Sequence, residues 1–468
     1  MTTPGLHFPK GFRWGTSTSS YQVEGAVDAD GRGESIWDRF CRVPGAIDGG
    51  DTGDVSVDQY RRRADDTALM AELGTNAHRF SLAWPRILPE GDGRVEKRGL
   101  DHYDRFIDGL LERGIEPLVT LYHWDLPQAL QERGGWRNRG TAQRFADYAA
   151  VCFDAFGDRV RDWVTINEPW IVGLLGHQLG LHAPGEKDLK GSVEVMHHLL
   201  LAHGLAVREL RATGRDDARA GIAYSLFPHT PEDPASSADR AASEASDGYV
   251  NRWFLDPVHG RDYPTDMRAH WEQAVGELDF IRAGDLDTIA TGSDFIGVNY
   301  YTRRIVSARA GDGPWPWKVE EGRPDVERTD LGWEIVPDDL ESLLVRLHRD
   351  YPGVPLMVTE NGAIYDDGPD DEGRVRDSRR IAFLRAHLAA VHRAMGAGAP
   401  VEGYYHWSLL DNFEWAMGYW PRFGLVHVDR ETQRRTVKDS GRWYADVARS
   451  GVLPASVSES ESDGGVGR

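Results

Sequence analysis

The chain has 468 residues, of which 40% are hydrophobic and 28% charged, so it can bury a large core. A net charge of −21 excludes the Lys/Arg-rich surfaces that nucleic acid and anionic membranes require. The two cysteines, Cys41 and Cys152, form no C-x-x-C pair, which points to reduced thiols and away from zinc or redox motifs.

The N-terminal Met1-Thr2-Thr3-Pro4-Gly5 lacks the basic region and apolar core of a signal peptide, and no apolar run approaches membrane-span length. The expected location is therefore cytoplasmic. Sixteen Trp is a high count. It fits a bulky core, and it also fits sugar sites, where flat rings pack on C–H faces while hydroxyls reach polar neighbours.

In chain order, Phe12 to Ser17 reads as the first strand, followed by turn residues that carry Tyr21, Gln22 and Glu24. Asp58 to Leu73 has helical spacing and stops at Gly74, as at a helix C-cap. Asn76 to Leu82 is the second strand and carries Arg79; Asp101 to Arg113 is an amphipathic helix. Ile115 to Leu121 is the third strand, with His123 and Trp124 at its end. Ala142 to Phe156 is a helix, and Val160 to Asn167 the fourth strand, ending in Glu168 and Pro169. Pro169 stops it, having no N–H for a ladder.

A long helix spans Val193 to Arg211, and Ala220 to Ser225 is the fifth strand. Residues 228–245 read as a loop leading into a helix. Asp294 to Tyr301 is the sixth strand, and the Gly-, Pro- and charge-rich residues 307–332 read as a long surface loop. Pro352 and Gly353 mark a turn before the seventh strand, Leu356-Met357-Val358-Thr359-Glu360-Asn361-Gly362. Ser378 to Met395 is a helix and Val401 to Trp407 the eighth strand. Eight strands with intervening helices predict an α/β fold, a single (β/α)₈ barrel over residues 1–450. The Ser/Glu/Gly-rich residues 451–468 read as a disordered tail.

A barrel presents the C-terminal tips of its strands to one pocket. At or just beyond these tips stand Gln22, Arg79, His123, Trp124, Asn167, Glu168, Asn299, Tyr301, Glu360 and Trp407, with Glu414 and Trp415 further on. Singly, Glu360 fits a solvated strand end, His123 a hydrogen-bonded core histidine and Arg79 a surface ion pair. Jointly they describe one polar, aromatic site. Two carboxylates on separate strand tips are the minimum equipment for acid/base and nucleophilic work on a glycosidic bond.

Several stretches resemble glycoside hydrolase family 1, the β-glucosidase family. Phe12-Arg13-Trp14-Gly15 with Tyr21-Gln22-Val23-Glu24-Gly25 is similar to the family's N-terminal signature. Thr165-Ile166-Asn167-Glu168-Pro169 is similar to its acid/base motif and Val358-Thr359-Glu360-Asn361-Gly362 to its nucleophile motif. Leu410-Asp411-Asn412-Phe413-Glu414-Trp415 is similar to its glycone-binding motif, and Trp84-Pro85-Arg86 and His182-Ala183-Pro184-Gly185 also match. The resemblance covers residues 8–447. It implies a retaining β-glucosidase without cofactor or metal, with Glu168 as acid/base, Glu360 as nucleophile and Arg79 supporting the latter.

It further implies that Gln22, His123, Trp124, Asn167, Asn299, Tyr301, Trp407, Glu414 and Trp415 grip the sugar. Trp170, Leu175 and Trp333 match positions on the aglycone side, although Trp170 and Leu175 also fit plain helix packing. The family's phospho-glycosidase branch has Ser, Lys and Tyr where Glu414, Pro421 and Phe423 stand, so a phosphate cradle is missing. His78 and His177 stand where the family usually has Tyr, and Val57-Asp58-Gln59 where it often has Cys-x-His. His177 is expected near the pocket entrance. Galactosides and fucosides remain alternative substrates. A non-catalytic sugar-binding barrel or a nicotinamide-dependent barrel oxidoreductase are the alternatives from other classes.

Overall fold

The computed structural model describes residues 5–311 and 313–455. Eight short, buried runs pair side by side: β1 (Arg13–Ser17), β2 (Ala77–Ser81), β3 (Glu116–Tyr122), β4 (Asp162–Asn167), β5 (Arg219–Ser225), β6 (Phe295–Asn299), β7 (Leu356–Asn361) and β8 (Val401–Trp407). Every neighbouring pair is parallel, and β8 returns to β1 with Gly403 opposite Arg13 and Trp407 opposite Ser17, so the sheet closes. The expected barrel is what the chain forms.

Strands buried on both faces read as near-continuous apolar runs, and β7 is buried at every residue. Inside the barrel, Ala77, Leu118, Val164, Ala223, Phe295, Met357 and Tyr405 pack into one cluster. A Cβ on Gly15 would come within 2.3 Å of the Tyr405 ring, so that glycine makes room for the tyrosine filling the lumen. At the N-terminal end of the strands, Arg13 and Arg219 close ion pairs onto Asp162 at 2.8 and 2.7 Å.

Helices cover the outside. Those expected are found at Gln59–Glu72, Lys97–Leu111, Gly140–Phe156, Leu189–Ala212 and Ser378–Gly396. Two further long ones, Pro337–Asp350 and Asp439–Ser450, follow β6 and β8. Among the described residues, no helix is long and apolar enough to cross a membrane.

Two expectations need correction. Residues 307–332 are not all loop: Lys318–Glu320 pairs antiparallel with Arg304–Ser307, which also pairs with His229–Pro231. A three-residue strand whose only apolar side chain, Val319, is 42% exposed carries no burial pattern to read. The boundary at 450 is also early. Val452–Leu453 pairs antiparallel with Leu6–His7, and Leu453 is buried. The rest of the expected tail, from residue 456, lies outside the described residues.

Candidate active site

The barrel brings the C-terminal tips together around a cavity of about 350 Å³. Its wall includes His123, Trp124, Asn167, Glu168, Tyr301, Trp407, Glu414, Trp415 and Glu360, together with Trp170, Leu175 and Trp333. Gln22, Arg79 and Asn299 stand directly behind that wall, each bonded to a carboxylate that lines it.

Glu360 is the best-held group. Arg79 Nη1 donates to its Oε1 at 2.5 Å, and Tyr301 Oη donates to its Oε2 at 2.7 Å. Arg79 is fully buried and further fastened, by Nη2 to Asn167 Oδ1 at 2.6 Å and by Nε to Thr120 Oγ1 at 3.1 Å. Burial raises the Glu360 carboxyl, and the Arg79 charge and the Tyr301 hydroxyl pull against it. Among the described residues, Glu168 has no bonded cation. Asn299 Nδ2 donates to its Oε1 at 2.9 Å. Burial, and next the charge of Glu360, push Glu168 up to about 8. Both carboxyls are raised, but Glu360 has a cation bonded to it and Glu168 a neutral amide.

An amide network fixes this pair. Asn299 Nδ2 also donates to Asn167 Oδ1 at 3.1 Å, and Thr359 Oγ1 donates to Asn299 Oδ1 at 2.7 Å. Asn167 Nδ2 meets His123 Nε2 at 3.1 Å, which leaves His123 Nδ1 buried without a partner. Burial, helped by Arg79, holds the imidazole well below its usual range, hence neutral. Trp124 donates its indole N–H to Asn167 O at 3.0 Å.

On the opposite side, Gln22 Nε2 donates to Glu414 Oε2 at 3.2 Å and to Phe413 O at 2.9 Å, while Ser19 Oγ donates to Gln22 Oε1 at 2.6 Å. Glu414 is likewise pushed up to about 8, first by burial and then by Glu360 and Glu168. His123 stacks near Trp407 and Trp415, with centroids 5.8 and 6.0 Å apart. Glu168, Trp124 and Trp415 have φ of 50°, 79° and 53°. Left-handed backbone at non-glycine residues is strained and clusters at functional sites.

Beyond Glu168 the chain turns through Pro169–Ile171 into a π-helical stretch, Val172–Gln178, that brings Trp170, Ile171, Leu174 and Leu175 onto the cavity. His177 does not join them. It is buried, with Nδ1 facing Val172 O at 2.9 Å, on a side of the turn that does not line the cavity. His78 is also buried, between Thr16 Oγ1 at 3.0 Å and Thr18 Oγ1 at 3.3 Å.

The sequence reading missed Ser225, Phe227, Thr302, Arg304 and His182 in the cavity wall. Ser225 ends β5, so the strand-tip rule that found the others applied to it too. Phe227, Thr302 and Arg304 lie past the ends of β5 and β6, where no local pattern marks them.

A closed parallel barrel whose strand tips hold two buried, unequally supported carboxylates in an aromatic cavity is the architecture of a barrel glycosidase. Residues 5–452 match glycosyl hydrolase family 1. Beta-glucosidase A of Thermotoga maritima is 45% identical over 446 residues, covering 95% of this chain and 98% of that protein. Thermostable beta-glucosidase B of Thermobispora bispora is 47% identical over 452 residues, covering 96% and 92%. The solved family 1 b-glucosidase from Thermotoga maritima superposes with a TM-score of 0.92 at 44% identity, covering 96% of this chain and 100% of that one. The chain belongs to glycosyl hydrolase family 1 and is an O-glycosyl hydrolase.

Proposed function

We propose that the protein is a retaining β-glucosidase that removes terminal β-D-glucosyl residues from cello-oligosaccharides and aryl or alkyl β-glucosides. The observation that carries this is the unequal support of the two carboxylates: an arginine and a tyrosine on Glu360, a neutral amide on Glu168. Glu360, ionised, attacks the anomeric carbon. Glu168, protonated, gives its proton to the leaving oxygen. Once Glu360 is esterified its charge is gone, the electrostatic part of the Glu168 shift goes with it, and Glu168 takes a proton from water. Water then releases the sugar with its original anomeric configuration. Asn299 stands beside both carboxyls. That proximity is what a retaining enzyme, with its carboxyls ~5–5.5 Å apart, requires.

Glycone recognition falls to Gln22, His123, Trp124, Asn167, Asn299, Tyr301, Trp407, Glu414 and Trp415. The unpartnered His123 Nδ1 and the Gln22–Glu414 pair are ready for sugar hydroxyls. Asn167, held by Arg79, suits the 2-hydroxyl. Trp170, Leu175 and Trp333 form the aglycone side. Two buried, unpaired cysteines fit a reducing compartment such as the cytoplasm.

Turnover of p-nitrophenyl sugars tests the reading. The β-glucoside should have the highest kcat/KM, ahead of the galactoside and fucoside. The 6-phosphoglucoside should be a very poor substrate, because Glu414 and Pro421 stand where a cation would be needed to balance its dianion. A preference for the phosphorylated or the galacto sugar would overturn the glucoside assignment.

A further inference from the structure

Among the described residues, the fully buried cations are paired with carboxylates. Arg79 faces Glu360 at 2.5 Å, Arg86 faces Glu24 at 3.0 Å, and Arg380 and Lys438 face Asp367 at 2.6 and 2.5 Å. Arg303 reaches Glu334 at 2.7 Å. The next residue, Arg304, is different. Its guanidinium lines the cavity and, among the described residues, has neither an ion pair nor a side-chain hydrogen bond. It is wedged between two rings, with Cζ 4.6 Å from the Trp170 centroid and 4.7 Å from that of Phe227. Burial pulls it down to about 10, opposed only by Tyr249.

Arg304 is half-buried, and a partly desolvated cation without a counter-charge is stabilised by an incoming anion. Stacking occupies the faces of a guanidinium, while its N–H donors lie in its plane and stay free for a planar acceptor. Trp170 and Phe227 bracket it, Leu175 and Trp333 line the same cavity, and Arg304 also lines a second cavity shared with Glu320, Glu321 and Glu334. Glu360 lines the same cavity as Trp170 and Phe227, and in its ionised form it disfavours a dianion.

We propose that the aglycone side takes leaving groups bearing a carboxylate on an aromatic ring, and that Arg304 is the residue that selects them. The inference rests on the reading of Trp170, Leu175 and Trp333 as the aglycone side. The ring stacks within the aromatic wall, and the carboxylate accepts from the in-plane edge of Arg304.

The test compares 4-carboxyphenyl β-glucoside with its neutral 4-carbamoylphenyl counterpart, on wild type, Arg304→Gln and Arg304→Lys. Taking the ratio of kcat/KM values for one substrate pair across variants cancels the intrinsic reactivity of each leaving group. In Arg304→Gln the carboxylate-to-carbamoyl ratio should fall by at least about tenfold, mainly through KM, as a charge-assisted fork is lost. Arg304→Lys, with the charge but no fork, should fall between. The carbamoyl substrate on the same variant reports whether the cavity is intact. A ratio unchanged within about twofold in both variants overturns the proposal and leaves Arg304 as packing for Trp170 and Phe227. If wild type turns over neither glucoside, the glucosidase reading fails. Calorimetry with 4-hydroxybenzoate against 4-hydroxybenzamide then decides the role of Arg304: preference for the anion, lost in Arg304→Gln, supports it, and equal binding overturns it.

Discussion

Two side chains of the same type have different neighbours here, a cation on Glu360 and a neutral amide on Glu168, and the proposed division of roles rests on that difference. Replacing Glu360 with Gly should abolish hydrolysis, and added azide should restore turnover by filling the vacated face. The product should be an α-glycosyl azide, and a β-product would remove Glu360 as nucleophile. Glu168→Ala separates substrates by leaving group. A dinitrophenyl glucoside hardly needs a proton and should glycosylate the enzyme nearly as fast as before. Cellobiose should lose the general-acid contribution, on the order of 10²–10⁴-fold. The sign of the pH effect follows from the direction of the shift. Glu168 is pushed up to about 8 and works protonated, so kcat/KM should fall as pH rises through about 8. Glu414 titrates in the same region, so the control is Glu414→Gln: it should keep the alkaline limb, whereas Glu168→Ala should lose it. If both variants keep that limb, Glu168 is not the acid.

At the scale of elements, helix positions were legible and their ends less so. The helix expected from Asp101 begins at Lys97 because Glu96 caps it, its side chain accepting from Arg98 N at 3.2 Å. Leu189–Ala212 likewise starts before Val193, with Asp188 accepting from Gly191 N at 3.0 Å. Caps are single residues, and an acidic side chain in a charged stretch does not announce itself as one. This helix also packs on the π-helical turn that carries the aglycone-side residues. Its fit depends on two glycines: a Cβ on Gly204 would lie 2.0 Å from Thr288 O, and one on Gly173, in the turn, 2.5 Å from Met196. Met196 can swing aside, whereas the Thr288 backbone cannot. Gly204→Ala should therefore destabilise the fold by ~1–3 kcal/mol despite the higher helix propensity of Ala. A urea midpoint equal to wild type would show that the backbone yields there.

For the molecule as a whole, one sheet closes on itself and the chain ends are tied together beneath it. Leu6–His7 pairs with Val452–Leu453, Phe8 N donates to Gly451 O at 2.9 Å, and Phe8 packs on Phe12 and Trp14. Leu6, His7 and Phe8 precede β1, so the pairing lies at the end of the barrel away from the strand tips. Leu453→Ala should cost about 2 kcal/mol, the lower end for a buried leucine because a terminal strand can relax. kcat/KM should stay at the wild-type value. A lost activity without lost stability would mean that the two ends of the barrel are coupled.

The sequence by itself determined the eight strands, the barrel class and the residues at most strand tips, because burial on both faces and strand-ending polar groups leave local patterns. The placing of Glu168 and Glu360 at strand tips was legible for the same reason, since each ends a recognisable run. Closure decided the rest. That Arg79 meets Glu360, 281 positions away, and that Glu168 meets Asn299 across 131, are facts of the folded sheet. So are the burial of His177 behind its turn and the unpaired state of Arg304, since whether a charge has a partner depends on groups brought near it only by folding.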